Sequence, residues 1–361
     1  MARKHTRSVQ VLRVIRSRIL RGAYRGKLPG VRALAKEMGS NPTTVQVALA
    51  KLESLGLVRK VERGGTFVVP GSQGDTGKTG LFARLALPPP FGTESEEGSS
   101  WADFVIYGFH SAARRHGLEM SLEYCSTADA VVDRILDDAD SERCVGTVFL
   151  ITRLQTSHLV RLAESRSPVV AADRALDDPM IPYVTFDNVG AGRLAAEHLV
   201  TLGHRRIGCM AYARTGPGVS DRIAGAQQYL DGCGLSLRHL ICEGNRAKFL
   251  ARISEGPDSC TALINMTGFE EVLHLRRMML EAGKRLPQDL SRISIVSNDL
   301  RQRGVTTCVL LQDQRMGETA LEMLLDEELL ANPRHVFVPL RLADHGTTCP
   351  PGGRSRANHG K

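Results

Sequence analysis

Long apolar runs are missing from this sequence, and no stretch approaches the 18 or more residues that a membrane-spanning helix needs. The basic opening MARKHTRSVQ is not followed by an apolar core, so it does not read as a secretory leader, and the expected compartment is the cytoplasm. Cysteine pairing motifs are also missing. The eight cysteines include no C-x-x-C pair and no metal-ligand spacing, which sets aside zinc ribbons and thioredoxin-like chemistry and leaves reduced thiols. His110 and His116 stand six apart, off the i, i+4 spacing of a helical metal site. There is no nucleophile elbow, no H-E-x-x-H and no EF-hand loop, so no catalytic constellation, metal or cofactor is expected. GDTGKTG near residue 77 approaches a phosphate loop, but the full pattern is not met and no strand precedes it.

What is present is charge, unevenly placed. Residues 1–70 hold fifteen Lys or Arg against three Glu, a net +12, so the total of +8 leaves −4 for everything after Pro70. A basic head on a slightly acidic body is the electrostatic footprint of a nucleic-acid-binding module. An anionic membrane surface would attract the same charge; the pattern between Leu28 and Val69 decides for DNA.

Within that stretch Leu34, Ala35 and Met38 recur at helical spacing, and Gly39 stops the helix. Ser40-Asn41-Pro42 makes a turn with Pro at the first helical position. Val45, Ala48, Leu49, Leu52 and Leu55 then mark one face of a second helix, closed by Gly56. Helix, tight turn, helix is the geometry that lays a second helix in the major groove. Two β-type runs, Leu57 to Val61 and Thr66 to Val69, follow as a hairpin with a basic, glycine-bearing tip, read as a wing. Thr43, Thr44, Gln46, Val47 and Lys51 fall off the apolar face. Gln can pair two-pronged with adenine, and Thr can meet base edges or phosphates. Arg32 and Arg63, with Gly64 and Gly65 at the wing tip, suit the phosphate contacts that set register. Ahead of the turn, Val9 to Leu20 reads as a scaffold helix with arginines between its apolar positions.

The residues Leu28, Pro29, Arg32, Leu34, Ala35, Thr44, Val45, Ala48, Leu49, Leu52, Gly56, Leu57, Gly65, Thr66, Phe67 and Val68 resemble the winged helix-turn-helix of GntR-type regulators. Many members carry Arg at two recognition-helix positions where this chain has Pro42 and Gln46, so a family operator sequence does not transfer. Arg32, Pro42, Thr43, Thr44, Gln46, Lys51, Arg63, Gly64 and Gly65 are therefore the expected DNA contacts.

The head occupies 1–70, and the Gly/Ser/Thr-rich residues 71–80 form a linker. From Leu81 to residue 345 apolar strands alternate with helical patterns, as in α/β architecture with parallel sheets covered on both faces. That length exceeds what one sheet needs, so two lobes are expected. Residues 346–361 are Gly/Pro/Arg-rich and read as a disordered tail. VTFDNVGAGRLAAEHLVTLGHRRIG, DRIAG and AGKRLPQDLSRISIVSND resemble the effector-binding domain of LacI-type repressors, itself similar to periplasmic sugar-binding proteins. The resemblance implies ligand contacts at Asp173, Arg222 and Asp299, placed in a cleft between lobes. Carboxylates and guanidinium suit neighbouring hydroxyls; the same residues could serve as a structural ion pair or cap. Thr267-Gly268 and Leu300 replace polar residues common in the family, so the pocket is poorer in polar contacts. Trp101, Phe104, Tyr107 and Phe269 could wall it or belong to the core.

Together these features imply a transcription regulator, a repressor acting as a homodimer on a pseudo-palindromic double-stranded operator and modulated by a small, sugar-like effector. A cytoplasmic solute sensor without control of DNA, and an enzyme on the α/β body, are the competing readings.

Overall fold

The computed structural model describes residues 7–70, 80–87, 100–139, 141–150, 154–165, 168–173, 175–176, 181–212, 216–241, 253, 259–266, 269–297 and 305–352. Two compact units divide the chain: Met1–Thr185 with Asp313–Val336, and Phe186–Gln312 with Phe337–Lys361.

The first unit begins with the basic head. Helix α1 (Arg7–Leu20) buries Val11, Leu12, Ile15 and Ile19, the three-and-four spacing of one helical face. It starts two residues earlier than the pattern suggested, and Arg7 donates to the Met38 and Gly39 carbonyls at 2.9 and 3.2 Å. These carbonyls lie just past α2 (Val31–Glu37), where a cation meets the negative end of the helix dipole. Helix α3 (Pro42–Ser54) buries Val45, Ala48, Leu49 and Leu52. Its start is set by Asn41, whose Oδ1 accepts the Thr44 N–H at 2.7 Å, and by Pro42, whose missing N–H costs nothing in the first turn. Strands β1 (Val58–Val61) and β2 (Gly65–Val68) pair antiparallel, Val58 opposite Val68. The chain before α2 adds a third edge that the hairpin pattern did not announce: Leu28 N–H donates to Thr66 O and Val68 N–H to Gly26 O.

The rest of this unit is an α/β layer. Its elements are β3 (Phe82–Leu87), α4 (Ser100–Arg115), β4 (Glu119–Tyr124), α5 (Ala128–Ala139), β5 (Cys144–Leu150), α6 (Thr156–Ser165), β6 (Val169–Ala172) and β7 (Tyr183–Phe186). After the second unit the chain returns with α10 (Asp313–Leu324), α11 (Glu327–Ala331) and β13 (His335–Val338). The sheet order is β13-β7-β6-β5-β3-β4, and β3 to β7 pair in parallel. Val131, Val132 and Ile135 of α5 pack with Phe149 of β5 and Leu162 of α6. The chain breaks after Leu324, and Asp326 caps a new helix by accepting from Glu328 N and Leu329 N.

The head is fastened to this layer through α1. Arg16, 3% exposed, donates to the carbonyls of Glu142 and Cys144 at 2.8 and 3.1 Å. Ser17 Oγ donates to Leu325 O, Arg18 pairs with Glu327 at 2.5 Å, and Arg21 pairs with Asp326 at 3.2 Å. The head read from the sequence as a separate domain thus shares a compact unit with the first α/β layer.

The second unit holds α7 (Asn188–Thr201), β8 (Ile207–Ala211), α8 (Pro217–Gly232), β9 (Leu237–Ile241), β10 (Ala262–Asn265), α9 (Phe269–Glu281), β11 (Ser291–Ser297), β12 (Thr307–Leu311) and β14 (Arg341–Ala343). Its sheet runs β14-β12-β11-β10-β8-β9, parallel except for β14 against β12. Residues 346–352, expected to open a disordered tail, are built into this unit; 353–361 lie outside the described residues. Arg292 N–H donates to Thr347 O at 2.7 Å, and Cys349, 4% exposed, receives His204 Nε2 on its carbonyl at 2.8 Å. Backbone hydrogen bonds and a buried thiol outweighed the loop-like composition.

Candidate functional site

In the head, the positions that face solvent are those left off the apolar stripe. Pro42, Thr43, Gln46 and Val47 of α3 are exposed and Thr44 is half-buried. Arg32 is exposed on α2. At the wing tip Arg63 and Gly65 take left-handed backbone, with φ of 56° and 102°, which turns the chain tightly between β1 and β2. Gly64 is half-buried, and a Cβ there would meet the Val61 side chain. These residues lie on one small module, and the exposed side chains of α3 stand at its capped N-terminal end, where the positive end of the helix dipole suits an anionic backbone.

Lys51 differs from its neighbours. It is half-buried, and its Nζ lies 2.5 Å from Glu142 Oε2, in the segment between α5 and β5. Three groups were not singled out by sequence reasoning. Lys27 Nζ and Arg59 Cζ flank the Phe67 ring at 5.9 and 6.0 Å, adding two cations to the wing. His116, left without a role, donates from Nδ1 to Leu20 O (2.9 Å) and from Nε2 to Glu322 (3.0 Å), the pair of bonds a protonated ring makes. The Glu322 hydrogen bond raises its pKa above the ordinary value, burial opposes this, and the Leu20 carbonyl adds to the rise. No sequence pattern joins residues 20, 116 and 322, so only the fold could bring them together.

The residues expected to hold a ligand are placed as follows. Asp173 directly follows β6 in the first unit, half-buried and left-handed (φ 63°), with its N–H donating to Val184 O at 2.9 Å. A non-glycine residue held at positive φ is uncommon and marks a constrained position. Arg222 belongs to the second unit. Helix α8 starts at Pro217, so Arg222 sits in its second turn, half-buried. Its Nε donates to Asn188 Oδ1 at 2.9 Å, at the start of α7, where Asp187 caps the helix by accepting from Gly190 N at 2.7 Å. Two glycines allow this approach. A Cβ on Gly192 would lie well within 3.0 Å of Arg222 O, and one on Gly225 equally close to Val189 O. Asp299 lies outside the described residues, as do Thr267, Gly268 and Leu300. The side chains of Trp101 and Phe269 are likewise undescribed, Phe104 is half-buried and Tyr107 is 59% exposed. Among the described residues no group of three His, Cys, Asp or Glu is arranged to hold a metal, and no helix is long and apolar enough to cross a membrane.

Comparison with known proteins assigns both parts. Residues 7–68 match the bacterial regulatory proteins of the gntR family. Residues 94–251 match the periplasmic binding proteins and sugar binding domain of the LacI family, and 196–348 match a periplasmic binding protein-like domain. The HTH-type transcriptional repressor CytR of Escherichia coli (strain K12) is 25% identical over 248 residues, 66% of this chain and 72% of that protein. The HTH-type transcriptional regulator MalR of Streptomyces coelicolor is 26% identical over 348 residues, 90% of this chain and 94% of its own length. Among solved structures, a LacI family transcriptional regulator from Enterococcus faecium with bound ribose has a TM-score of 0.56 at 18% identity, covering 74% of this chain and 99% of that one. It shares the fold.

Proposed function

We propose that this chain, which joins a GntR-type helix-turn-helix head to a LacI-type periplasmic-binding-protein-like body, is a transcriptional repressor whose grip on its operator is set by a small effector. The observation that carries the reading is the folded head: a capped α3 with its first turns exposed, beside a wing bearing Lys27, Arg59 and Arg63. In this reading Pro42, Thr43, Thr44 and Gln46 enter the major groove, with Gln46 reading a base edge. Arg32, Arg63, Gly64 and Gly65 contact phosphates, whereas Lys51, expected among them, is held by Glu142. A homodimer would present two heads to a pseudo-palindromic site in the cytoplasm.

The effector reading rests on similar proteins whose names carry a sugar, an arabinose metabolism repressor, a regulator with bound ribose and a regulator–cellobiose complex, and on the polar character of Asp173, Arg222 and Asp299. A hydroxylated ligand, sugar-like in chemistry, is the class those groups suit. Titration of the full chain into duplex DNA at rising salt tests the DNA half. Affinity should fall steeply with salt and be lost when residues 1–70 are removed. Equal, salt-independent binding by the truncated chain would overturn the proposal.

A further inference from the structure

Beside the joint between the head and the first α/β layer lies a cavity of about 550 Å³. Val9 and Leu12 of α1 and Val47 and Ala50 of α3 give it apolar walls, and Ser141 and Glu142 close it from the layer. Three cationic side chains line it, Arg13, Arg16 and Lys51, against one carboxylate, Glu142. That volume falls in the range that holds small organic ligands.

Arg16 gives the cavity its chemistry. Its guanidinium is almost wholly buried, and its hydrogen bonds run to two neutral carbonyls, those of Glu142 and Cys144. Among the described residues no carboxylate pairs with it. Two of the five N–H groups of a guanidinium are used in this way. Burial and the neighbouring Arg13 charge lower its pKa to about 10, so it remains protonated at neutral pH. A buried cation that meets only neutral dipoles is poorly compensated, because desolvation is balanced best by a counter-charge. The lone acid in the lining is already engaged by Lys51 at 2.5 Å.

We propose that this cavity binds a small organic anion with an apolar body and a single carboxylate or sulfonate group. The acidic group lies toward Arg16 and Arg13, and the body rests on Val9, Leu12 and Val47. Because its walls come from both α3 and the segment preceding β5, such a ligand touches the head and the α/β layer at once. This site is separate from Asp173 and Arg222, and its test requires no DNA.

The probe is 8-anilinonaphthalene-1-sulfonate, titrated into the full chain by fluorescence in low-chloride buffer, with thermal melts of each variant alongside. One saturable site per chain is expected. Ala50→Trp, which fills the cavity from an exposed position, and Arg13→Gln should each weaken binding at least about ten-fold in chains whose melts show them folded. Leu280→Ser, at an exposed apolar position elsewhere, should leave binding unchanged. The uncharged analogue N-phenyl-1-naphthylamine should bind at least about ten-fold more weakly than the sulfonate. Wild-type affinity in a folded Arg13→Gln chain, or equal affinity for the charged and uncharged probes, would overturn the proposal. Should Ala50→Trp fail to fold, Arg13→Gln and the uncharged probe still decide it.

Discussion

Replacing Gly192 by Ala probes the packing that holds Arg222 in place. Gly192 lies on α7 where it crosses α8, and the added Cβ would fall well inside 3.0 Å of the Arg222 carbonyl oxygen. The obstacle is backbone, so no rotamer change relieves it, and the helices must part by more than about 1 Å. Gly225 contributes the reciprocal contact against Val189, which makes a local adjustment harder. Overpacking costs about 1–3 kcal/mol, and a clash this deep against backbone belongs to the upper part of that range, about 2–3 kcal/mol. Against it stands the helix propensity gained on exchanging Gly for Ala, about 1 kcal/mol. The balance predicts net destabilisation of roughly 1–2 kcal/mol, read as a lower denaturant midpoint with unchanged slope. Gly232→Ala supplies the control, since a Cβ there meets nothing within 4 Å. It should leave stability unchanged or raise it by up to about 1 kcal/mol. A Gly192→Ala chain as stable as wild type would refute the account of how these helices meet.

Asn41→Ala should lower the stability of the head by about 1 kcal/mol, and Asn41→Asp should restore it, measured by chemical denaturation. His116 should titrate above its ordinary value by NMR; because its folded pKa is raised, its link to Glu322 and Leu20 is complete below about pH 6.5 and lost as pH rises through the folded pKa. His116→Gln should flatten that dependence of stability on pH. Cys233, exposed, should react rapidly with a thiol reagent in the native chain, whereas Cys144 and Cys209, pushed by burial to about 11 and 12, should react only on unfolding. Arg222→Ala should abolish the response to an inducing metabolite while operator binding persists; an unaltered response in a stable variant would remove Arg222 from the effector site.

The head was legible in the sequence because its signals are local. Gly39, Asn41-Pro42 and Gly56 punctuate an apolar stripe of period three to four, and α2, α3 and the hairpin follow from them. Two central strands were legible for a similar reason: Val145 to Leu150 and Val169 to Ala172 are almost wholly apolar, and both are fully buried. Two edge strands were not. Strands β9 and β14 border their sheet and carry polar residues, so no burial pattern announced them. The fastening of α1 to the layer was equally hidden. Its arginines looked like a solvent-facing charge run, yet Arg16 is buried against carbonyls some 126 and 128 residues away. Composition cannot tell a cation held by distant backbone from one held by water. Of the proposed ligand contacts, Asp173 and Arg222 come from the family resemblance, and what that resemblance could not supply was the local role of Arg222 in bonding Asn188.

The central claim is that the exposed face of α3 reads DNA sequence, and selection of binding sites from random duplexes by the full chain tests it most directly. The account predicts enrichment of a two-fold symmetric site by the wild-type chain. With Gln46→Ala, base preference should relax at one position of each half-site, by about 1–3 kcal/mol, while the rest of the site is retained. Arg63→Ala should weaken binding to all sequences alike. Recovery of no enriched sequence by the wild-type chain would contradict the account.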